Sequence, residues 1–424
     1  MKIQAVKGTR DFYPPEMRLR NWIIDTWRKV SVRNGFEEYD SPIFEYLDLF
    51  TIKSGQEIAE QLFSFEDRGG RKLAIRPEIT PALARMVNAR INALPRPIKW
   101  FSVPRLCRAE NPQKGRLREF FQWNIDVIGS DDVLADAECI MVCVDFLREI
   151  GLSPQDVQVR IGSRPLTVAM LNSLGVQAPD MVDKILVVLD KRPKVDQAEF
   201  ARLCQAAGLS VDQVRQICAF QDSAAPQSIA GNPLLKGLDK EIADLRRLFE
   251  YLTSMGVAEY CRCDMRIVRG LAYYTGIVYE VFDIGQSLRA LAGGGRYDNL
   301  LEVLGGPKMG ACGFGMGDVV LGILLQEKDK VHPSAQNVTL DFFVVDETPD
   351  QLDRAIQVVA ALRAKGRSAD FNYKRQAIGK QLKEANRRGA VKAVIVRADG
   401  ELAIKDLVTG TQEELSQAEF LAPL

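Results

Sequence analysis

The sequence predicts an α+β protein in two parts: a larger region of mixed strands and helices, and a small C-terminal α/β domain. Three observations point there. Over the first 150 residues amphipathic helices flank strand patterns, two of which are joined as a long hairpin. From about 165 to 255 the pattern is helical throughout, and after residue 335 strands and helices alternate. The 424 residues are also too many for one ordinary core.

The elements follow in order. Trp22, Ile23, Trp27 and Val30 recur at helical spacing over 16–34, and Gly35 closes the helix. "FEEYDSPIFEY" alternates like a strand, and Pro42 within it implies an edge or an interface. "RKLAIRPEITPALARMVNARI" reads as a strand, a turn on Pro77, and a helix capped by Thr80 with Pro81 at its first position. "IKWFSVPRLCRAE" and "REFFQWNIDVIG" read as strands joined by the basic loop "NPQKGRL", and "DVLADAECIMVCVDFLREIG" as a helix ending at Gly151. Strand character returns over 265–285, where "RGLAYYTGIVYE" sets Tyr273 and Tyr274 side by side. Adjacent strand residues face opposite ways, so these two cannot both serve one core. "GACGFGMGDVVLGILLQEK" is a glycine-rich strand feeding a helix, and "DKVHPSAQN" a polar linker. The expected boundaries are 1–328 for the first region, with its helical insertion at about 165–255, and 335–424 for the second.

Composition excludes several classes. Apolar residues make up 46% and charged ones 26%, as in a soluble globular protein. With 56 basic against 56 acidic residues, a DNA-coating protein is excluded, while a local basic patch is not. No stretch approaches the ~20 apolar residues that cross a bilayer. The charged, proline-broken start "MKIQAVKGTRDFYPPEM" is unlike a signal peptide, so no membrane association and a cytoplasmic location are expected. Cys261 and Cys263 form a C-x-C without a second pair at zinc spacing; reduced buried thiols and no metal site are expected. His332 is the single histidine, which removes histidine-dependent hydrolase triads.

The chemistry-bearing residues gather around the hairpin. Arg105, Arg108, Lys114, Arg116 and Arg118 bracket it, either as a solvated basic loop or as contacts to phosphate. Arg108 and Glu110 before the loop, with Gln122, Asn124 and Asp126 after it, would project polar groups onto one face of a sheet that also needs a core. Buried polar groups at such positions are costly unless they meet a ligand. "GGGRYD" and "GFGMG" are each compatible with tight turns or with backbone approaching a ligand, and neither is a dinucleotide fingerprint.

Taken together, "GTRDFYPPE", Pro42, "RPEITPALARM", "CRAENPQKGRLREFFQ", "RGLAYYTGIVYE", "GGGRYDNL" and "GFGMGD" closely resemble the histidyl-tRNA synthetases, a class II aminoacyl-tRNA synthetase family. The resemblance runs through the C-terminal α/β domain, which looks like that family's anticodon-binding module. It implies a class II antiparallel catalytic sheet, a homodimer through the Pro42 segment, ATP as substrate with Mg2+, and L-histidine and tRNA(His) as partners. Neutral imidazole offers one donor and one acceptor, which a carboxylate and a phenol would read. By resemblance Asp126 and Tyr274 take those roles, Tyr273 and Gln122 line the pocket, and Glu78 and Thr80 hold the α-ammonium group. Arg269 and Arg108 would be catalytic, stabilising charge at the α-phosphate, with Arg108, Glu110, Arg116 and Arg296 on ATP. Lys114 on the loop, and Lys380, Lys383 and Arg387 in the C-terminal domain, would contact tRNA.

The sequence also departs from the family pattern. Asp126 stands where glutamate is usual, Ala272 where aspartate is, Asn111 where a basic residue is common, and Val320 where the third motif has an arginine. The last departure weakens the grip expected on ATP's distal phosphates, with Arg296 as partial compensation. It is also the feature shared with the rival reading, a catalytically silent paralogue serving as regulatory subunit of ATP phosphoribosyltransferase. That paralogue normally lacks the C-terminal domain.

Overall fold

Pro14 and Pro15 preset the first turn of the helix Pro14–Arg33, whose apolar stripe buries Ile23, Ile24, Trp27 and Val30. Trp27 stacks on Trp123 at a centroid distance of 6.1 Å, and the Trp123 indole N–H donates to Ser31 Oγ at 2.9 Å. That contact seats the helix on the sheet that carries the site. The structure is a computed structural model describing residues 3–52, 62–222, 229, 231–268, 273–336, 340–374 and 376–423. The chain divides into two compact units, Met1–Val331 and His332–Leu424.

In the larger unit the strands, numbered along the chain, are β1 (Glu37–Glu38), β2 (Phe44–Tyr46), β3 (Phe63–Glu66), β4 (Lys72–Ile75), β5 (Ile98–Ser102), β6 (Arg105–Cys107), β7 (Glu119–Ile128) and β8 (Val157–Ser163). They continue as β9 (Cys261–Cys263), β10 (Ile277–Asp283), β11 (Ala292–Arg296) and β12 (Ala311–Gly317). A nine-stranded sheet runs β1-β5-β7-β12-β11-β10-β8-β9, with β6 paired to the end of β7. Its centre, β5 to β8, is antiparallel; only the outer pairs β1–β5 and β8–β9 are parallel. Trp123, Ile125 and Val127 of β7 join Phe314 and Met316 of β12 in the main core, covered by Pro14–Arg33 and by the helix Leu134–Glu149. A second cluster on the other face collects Ile79, at the cap of the helix Thr80–Ala89, and that helix's Leu83 and Val87 with Tyr273, Tyr274, Tyr297 and Leu300.

Among the described residues between β8 and β9 stand the α-helices Arg164–Ser173, Pro179–Leu189, Gln197–Ala206, Val211–Gln221 and Asp239–Ser254. The fourth begins with a reciprocal capping box between Ser210 and Gln213. The smaller unit is a five-stranded sheet in the order β14-β13-β15-β16-β17, where β13 is Leu340–Asp346, β14 Ala369–Phe371, β15 Ala390–Val396, β16 Leu402–Asp406 and β17 Gln412–Leu415. Val344, Val394 and Val396 pack with Val358 and Leu362 of the helix Leu352–Ala364. Phe343, Val345 and Ile395, one residue out of step, pack on the other face with Ala385 of the helix Ile378–Arg387. Helices cover both faces, so the strands are apolar on both.

Three local expectations change. "FEEYDSPIFEY" is not one strand: β1 pairs with β5 and β2 with β4, and Pro42 lies in the link between two sheets. The helix after Pro77 starts with Thr80 as its first residue, Ile79 at the cap and no side-chain cap bond. Strand structure begins at Ile277, so Tyr273 and Tyr274 precede it, escape its alternation, and share one apolar cluster at 7% and 6% exposure.

One buried ion pair ties the sheet to its covering helix. Arg296, at the end of β11, donates to Asp136 on the helix Leu134–Glu149 and to the carbonyls of Ser130 and Asp132, both at 2.9 Å. Asp298 accepts from the Ala311 amide at 3.2 Å and the Thr275 hydroxyl at 3.0 Å, joining the same lock. Removing one partner of such a pair leaves a buried charge uncompensated. Asp136→Ala should therefore lower unfolding free energy by about 3–5 kcal/mol in a urea titration. A loss below about 1 kcal/mol would show that the pair is dispensable.

Candidate active site

Strand β7 alternates with a purpose. Trp123, Ile125 and Val127 point into the core, so Gln122, Asn124 and Asp126 point the other way. Opposite them on β12 stand Gly317, Gly315 and Gly313, and beyond these on β11 stand Gly293 and Gly295. The face is a polar wall beside a glycine floor. The glycines are required by close approach: a Cβ on Gly313 would lie 2.3 Å from the Ile125 carbonyl and 2.6 Å from Asp126 Oδ1, and one on Gly315 2.8 Å from the Gln122 amide.

Asp126 is 3% exposed, and the Tyr297 hydroxyl donates to its Oδ1. Its Oδ2 is buried with no hydrogen-bond partner among the described residues. Burial pushes this carboxyl up to about 7, against the opposing pull of the Tyr297 hydrogen bond. The Tyr39 hydroxyl, close enough to feel the charge of Asp126, is likewise buried without a hydrogen-bond partner. Next to this pair Tyr273 lies edge-on to Tyr297 at 6.0 Å and 5.0 Å from the ring of Tyr274. The Tyr273 hydroxyl donates to Glu78 Oε2 at 3.2 Å. Tyr274 covers Gly295, where a Cβ would lie 2.9 Å from its ring.

The hairpin and the start of the helix Thr80–Ala89 are fastened together. Arg76, buried, donates to Asp40 at 2.6 Å, to the Ser41 carbonyl at 2.6 Å and to the Arg105 carbonyl at 3.1 Å. Arg108 donates to the Pro77 carbonyl at 3.1 Å and stacks on Phe120 at 4.9 Å. These contacts hold Glu78 and Arg108 to one frame. In front of them opens a cleft of about 850 Å³, lined by Arg108, Arg116, Gln122, Gly315, Gly317 and Val320, with helical-insertion residues such as Lys191 on its far side. Arg116 is ion-paired to Glu110, and Lys114 at the rim reaches Glu327 at 3.3 Å.

The structure thus brings together Glu78, Asp126, Tyr273 and Tyr274 in one polar-aromatic cluster, with Thr80 at the adjoining helix start. Arg108, Arg116 and Gln122 line the cleft. Arg296 is not among them: its guanidinium is turned to Asp136 and does not line the cleft. Arg269 lies outside the described residues. Lys380, Lys383 and Arg387 are exposed on the helix Ile378–Arg387 of the other unit, where Glu384 holds Arg387 at 2.6 Å. Sequence reasoning missed Tyr297 and Tyr39. Alternation in "GGGRYD" was the available signal for Tyr297, since a buried strand-end arginine puts its neighbour on the opposite face. Tyr39 carried no signal beyond its aromatic side chain.

Comparison with known proteins bears on this site. A family model described as histidyl-tRNA synthetase matches residues 8–317, and one described as anticodon binding domain matches residues 331–424. The chain is 38% identical to the chloroplastic/mitochondrial histidine–tRNA ligase of Arabidopsis thaliana over 422 residues, covering 99% of this chain and 86% of that one. It is 39% identical to the histidine–tRNA ligase of Opitutus terrae over 434 residues, covering 99% and 97%. A crystal structure of histidyl-tRNA synthetase from a Nostoc species superposes with a TM-score of 0.81 at 23% identity, covering 100% and 99% of the two chains, a likeness of fold.

The half-satisfied carboxyl of Asp126 makes a pH prediction. Its folded-state pKa lies above the ordinary 3.8, so the stability it contributes is complete below about 4 and is lost as pH rises through about 7. Asp126→Asn should remove that component. The stability difference between variant and wild type should grow in the variant's favour from pH 4 to pH 7 and level off above. A difference flat across that window would place the carboxyl in an unperturbed environment.

Proposed function

The chain belongs to the histidyl-tRNA synthetase family, whose members join histidine to tRNA with ATP, and on that premise we propose how its residues divide the work. The observation that carries the reading is the buried carboxyl of Asp126, oriented by Tyr297 through one oxygen and open at the other. That oxygen accepts the N–H of a neutral imidazole, and a phenol, expected to be Tyr274, donates to the ring's other nitrogen. Amino acids of similar size lack this donor–acceptor pair and would leave buried groups unsatisfied, which is how polar pockets discriminate. Glu78, steadied by the Tyr273 hydroxyl, holds the α-ammonium group with Thr80, and Gln122 lines the wall toward the cleft.

ATP occupies the cleft, its α-phosphate against Arg108, with Arg116 and Glu110 on the nucleotide. A carboxylate oxygen of histidine attacks the α-phosphorus, a phosphorus–oxygen bond breaks, and pyrophosphate leaves with its electrons. The terminal ribose hydroxyl oxygen of the tRNA then attacks the carbonyl carbon of the adenylate, the bond from that carbon to the phosphate oxygen breaks, AMP leaves with the electron pair, and the hydroxyl proton is lost. The nucleophile is already ionised, so no general base is needed; positioning and fixed positive charge carry the rate, with Arg269 assigned to the reacting centre from the sequence. Among the described residues no group of three or more acidic, cysteine or histidine side chains could hold a metal by itself; Glu280 and Asp190 line the cleft, which suits magnesium arriving on ATP's phosphates and offsetting their charge there.

The exposed Ile43, Phe44 and Tyr46 beside Pro42 form an apolar patch suited to a second copy of the chain, which supports a homodimer. No described helix is long and apolar enough to cross a membrane, and the reading places the protein in the cytoplasm. The regulatory-subunit alternative has no better support, since the chain carries the C-terminal unit and aligns along its length with histidine–tRNA ligases.

Purified protein should exchange pyrophosphate into ATP with histidine and not with glutamine or asparagine. Absence of exchange with histidine, together with tight binding to a phosphoribosyltransferase, would favour the regulatory reading. Arg269→Ala should slow adenylate formation about a hundredfold or more while weakening histidine binding much less; normal adenylation would remove Arg269 from the chemistry. Ending the chain at Val331 should leave exchange largely intact and cut tRNA charging steeply, because Lys380, Lys383 and Arg387 go with the smaller unit. Unchanged charging would mean that the smaller unit does not hold tRNA.

A further inference from the structure

The cleft is built for a polyanion, yet most of its described cations are already committed. Arg116 is paired with Glu110; Arg160 and Arg266 converge on Asp264 at 3.8 and 2.7 Å. Arg108 is held against Phe120 and the Pro77 carbonyl beside Glu78, at the end where the substrate carboxylate would lie. Two cations differ. Lys191 lines the cleft from the helical insertion and Arg289 from the connection between β10 and β11, and no carboxylate among the described residues is ion-paired with either; of the two, Arg289 carries the planar fork that can bridge phosphate oxygens. Its guanidinium instead donates to the neutral side chain of Gln113 at 3.1 Å, reaching across to the tip of the β6–β7 hairpin.

That reach is prearranged by the backbone. Asp283, 4% exposed, accepts from the amides of Ser287 at 3.0 Å and Leu288 at 3.2 Å, and Leu288 is buried at 9% exposure. The Leu291 amide then donates to the Val281 carbonyl at 2.8 Å, which returns the chain to the sheet. Arg289 therefore leaves a loop pinned on both sides. The opposite wall at the hairpin tip is apolar: Val320 sits beneath Gly115, so close that a Cβ on that glycine would lie 3.1 Å from it. Of the described residues lining the cleft, the helix that carries Val320 contributes only Val319 and Val320, neither of them charged.

We infer that Arg289 grips the β- and γ-phosphates of ATP and the departing pyrophosphate, supplying from the β10–β11 connection the positive charge that the Val320 wall lacks. The inference rests on the cleft being the ATP site. Exchanging the Gln113 amide for phosphate oxygens replaces a neutral acceptor by a charged one, roughly doubling the strength of each hydrogen bond. Arginine suits the task because its planar fork can bridge two oxygens.

The test separates distal from proximal phosphates on the full-length protein. Arg289→Ala should raise the ATP Kd and the KM for ATP in histidine-dependent exchange about tenfold or more. It should leave the Kd for AMP, the KM for histidine and the melting temperature unchanged. Arg289→Lys should recover part of the loss. Transfer from preformed histidyl-adenylate to tRNA should proceed at the wild-type rate, since no pyrophosphate takes part in it. An unchanged ATP Kd, an equal loss of ATP and AMP binding, or a defect confined to transfer would each overturn the assignment. Wild-type exchange is measured alongside: its absence would count against the ligase reading itself, whereas its presence with an indifferent Arg289→Ala counts against Arg289 alone.

Discussion

Strand β7 has to be buried on both faces while only one of them can be core, and much of the larger unit follows from that demand. Trp123, Ile125 and Val127 satisfy one face by packing under Pro14–Arg33 and Leu134–Glu149. Asn124 and Asp126 on the other face, 4% and 3% exposed, need partners that apolar neighbours cannot give. Glycines on β11 and β12 resolve the conflict by making room for the polar row, since the side chains of Asp126 and Gln122 lie where a Cβ would otherwise stand. Those same strands remain core on their other face through Phe314 and Met316. A site is thus made by omission on one side of a sheet whose stability is supplied by the other.

The two buried carboxyls of this region show what separates a structural group from one prepared for a ligand. Asp136 is pushed up to about 6 by burial, and the Arg296 guanidinium opposes that rise with a full opposite charge. Asp126, pushed up to about 7, has only a phenol to oppose its burial; each carboxyl keeps one oxygen without a hydrogen-bond partner among the described residues, and what Asp126 lacks is a countercharge. A fold seeking stability alone would have little reason to keep the second arrangement, because a buried carboxyl without a countercharge is costly. The penalty is withdrawn when a donor arrives. Stability given up at Asp126 is affinity held in reserve for a ligand with an N–H to offer.

Much of this was legible before any coordinates. The period-two row Gln122, Asn124, Asp126 announced a polar face on a strand whose neighbours were apolar, and the glycine alternation of "GFGMG" carries the matching floor. The C-terminal unit was plain from regular alternation of strand and helix. What failed did so for local reasons. Alternation was extended to Tyr273 and Tyr274 although strand β10 starts only at Ile277, so two rings assigned to opposite faces share one cluster. Arg296 is placed on the nucleotide by resemblance, as partial compensation for Val320; its partner Asp136 lies 160 residues earlier, a distance no motif reports. Tyr39 and Tyr297 were missed for the same reason, since each becomes informative only when Asp126 is placed beside it.

The arginines make the general point. Sequence gives their number and order, but a guanidinium acts on a substrate only if its charge is not already answered within the protein. Arg296 is answered by Asp136 deep under the sheet, and Arg266 by Asp264 at the side of the cleft. Arg116 keeps company with Glu110 on its own hairpin, a pairing that orders the loop and leaves part of the fork facing the cleft. Among the described residues, Arg289 is met by an amide alone. Ranking them by unanswered charge rather than by motif reverses the order that sequence suggests. It moves the positive end of the cleft from "GGGRYD" to the loop before it, on the side facing Val320.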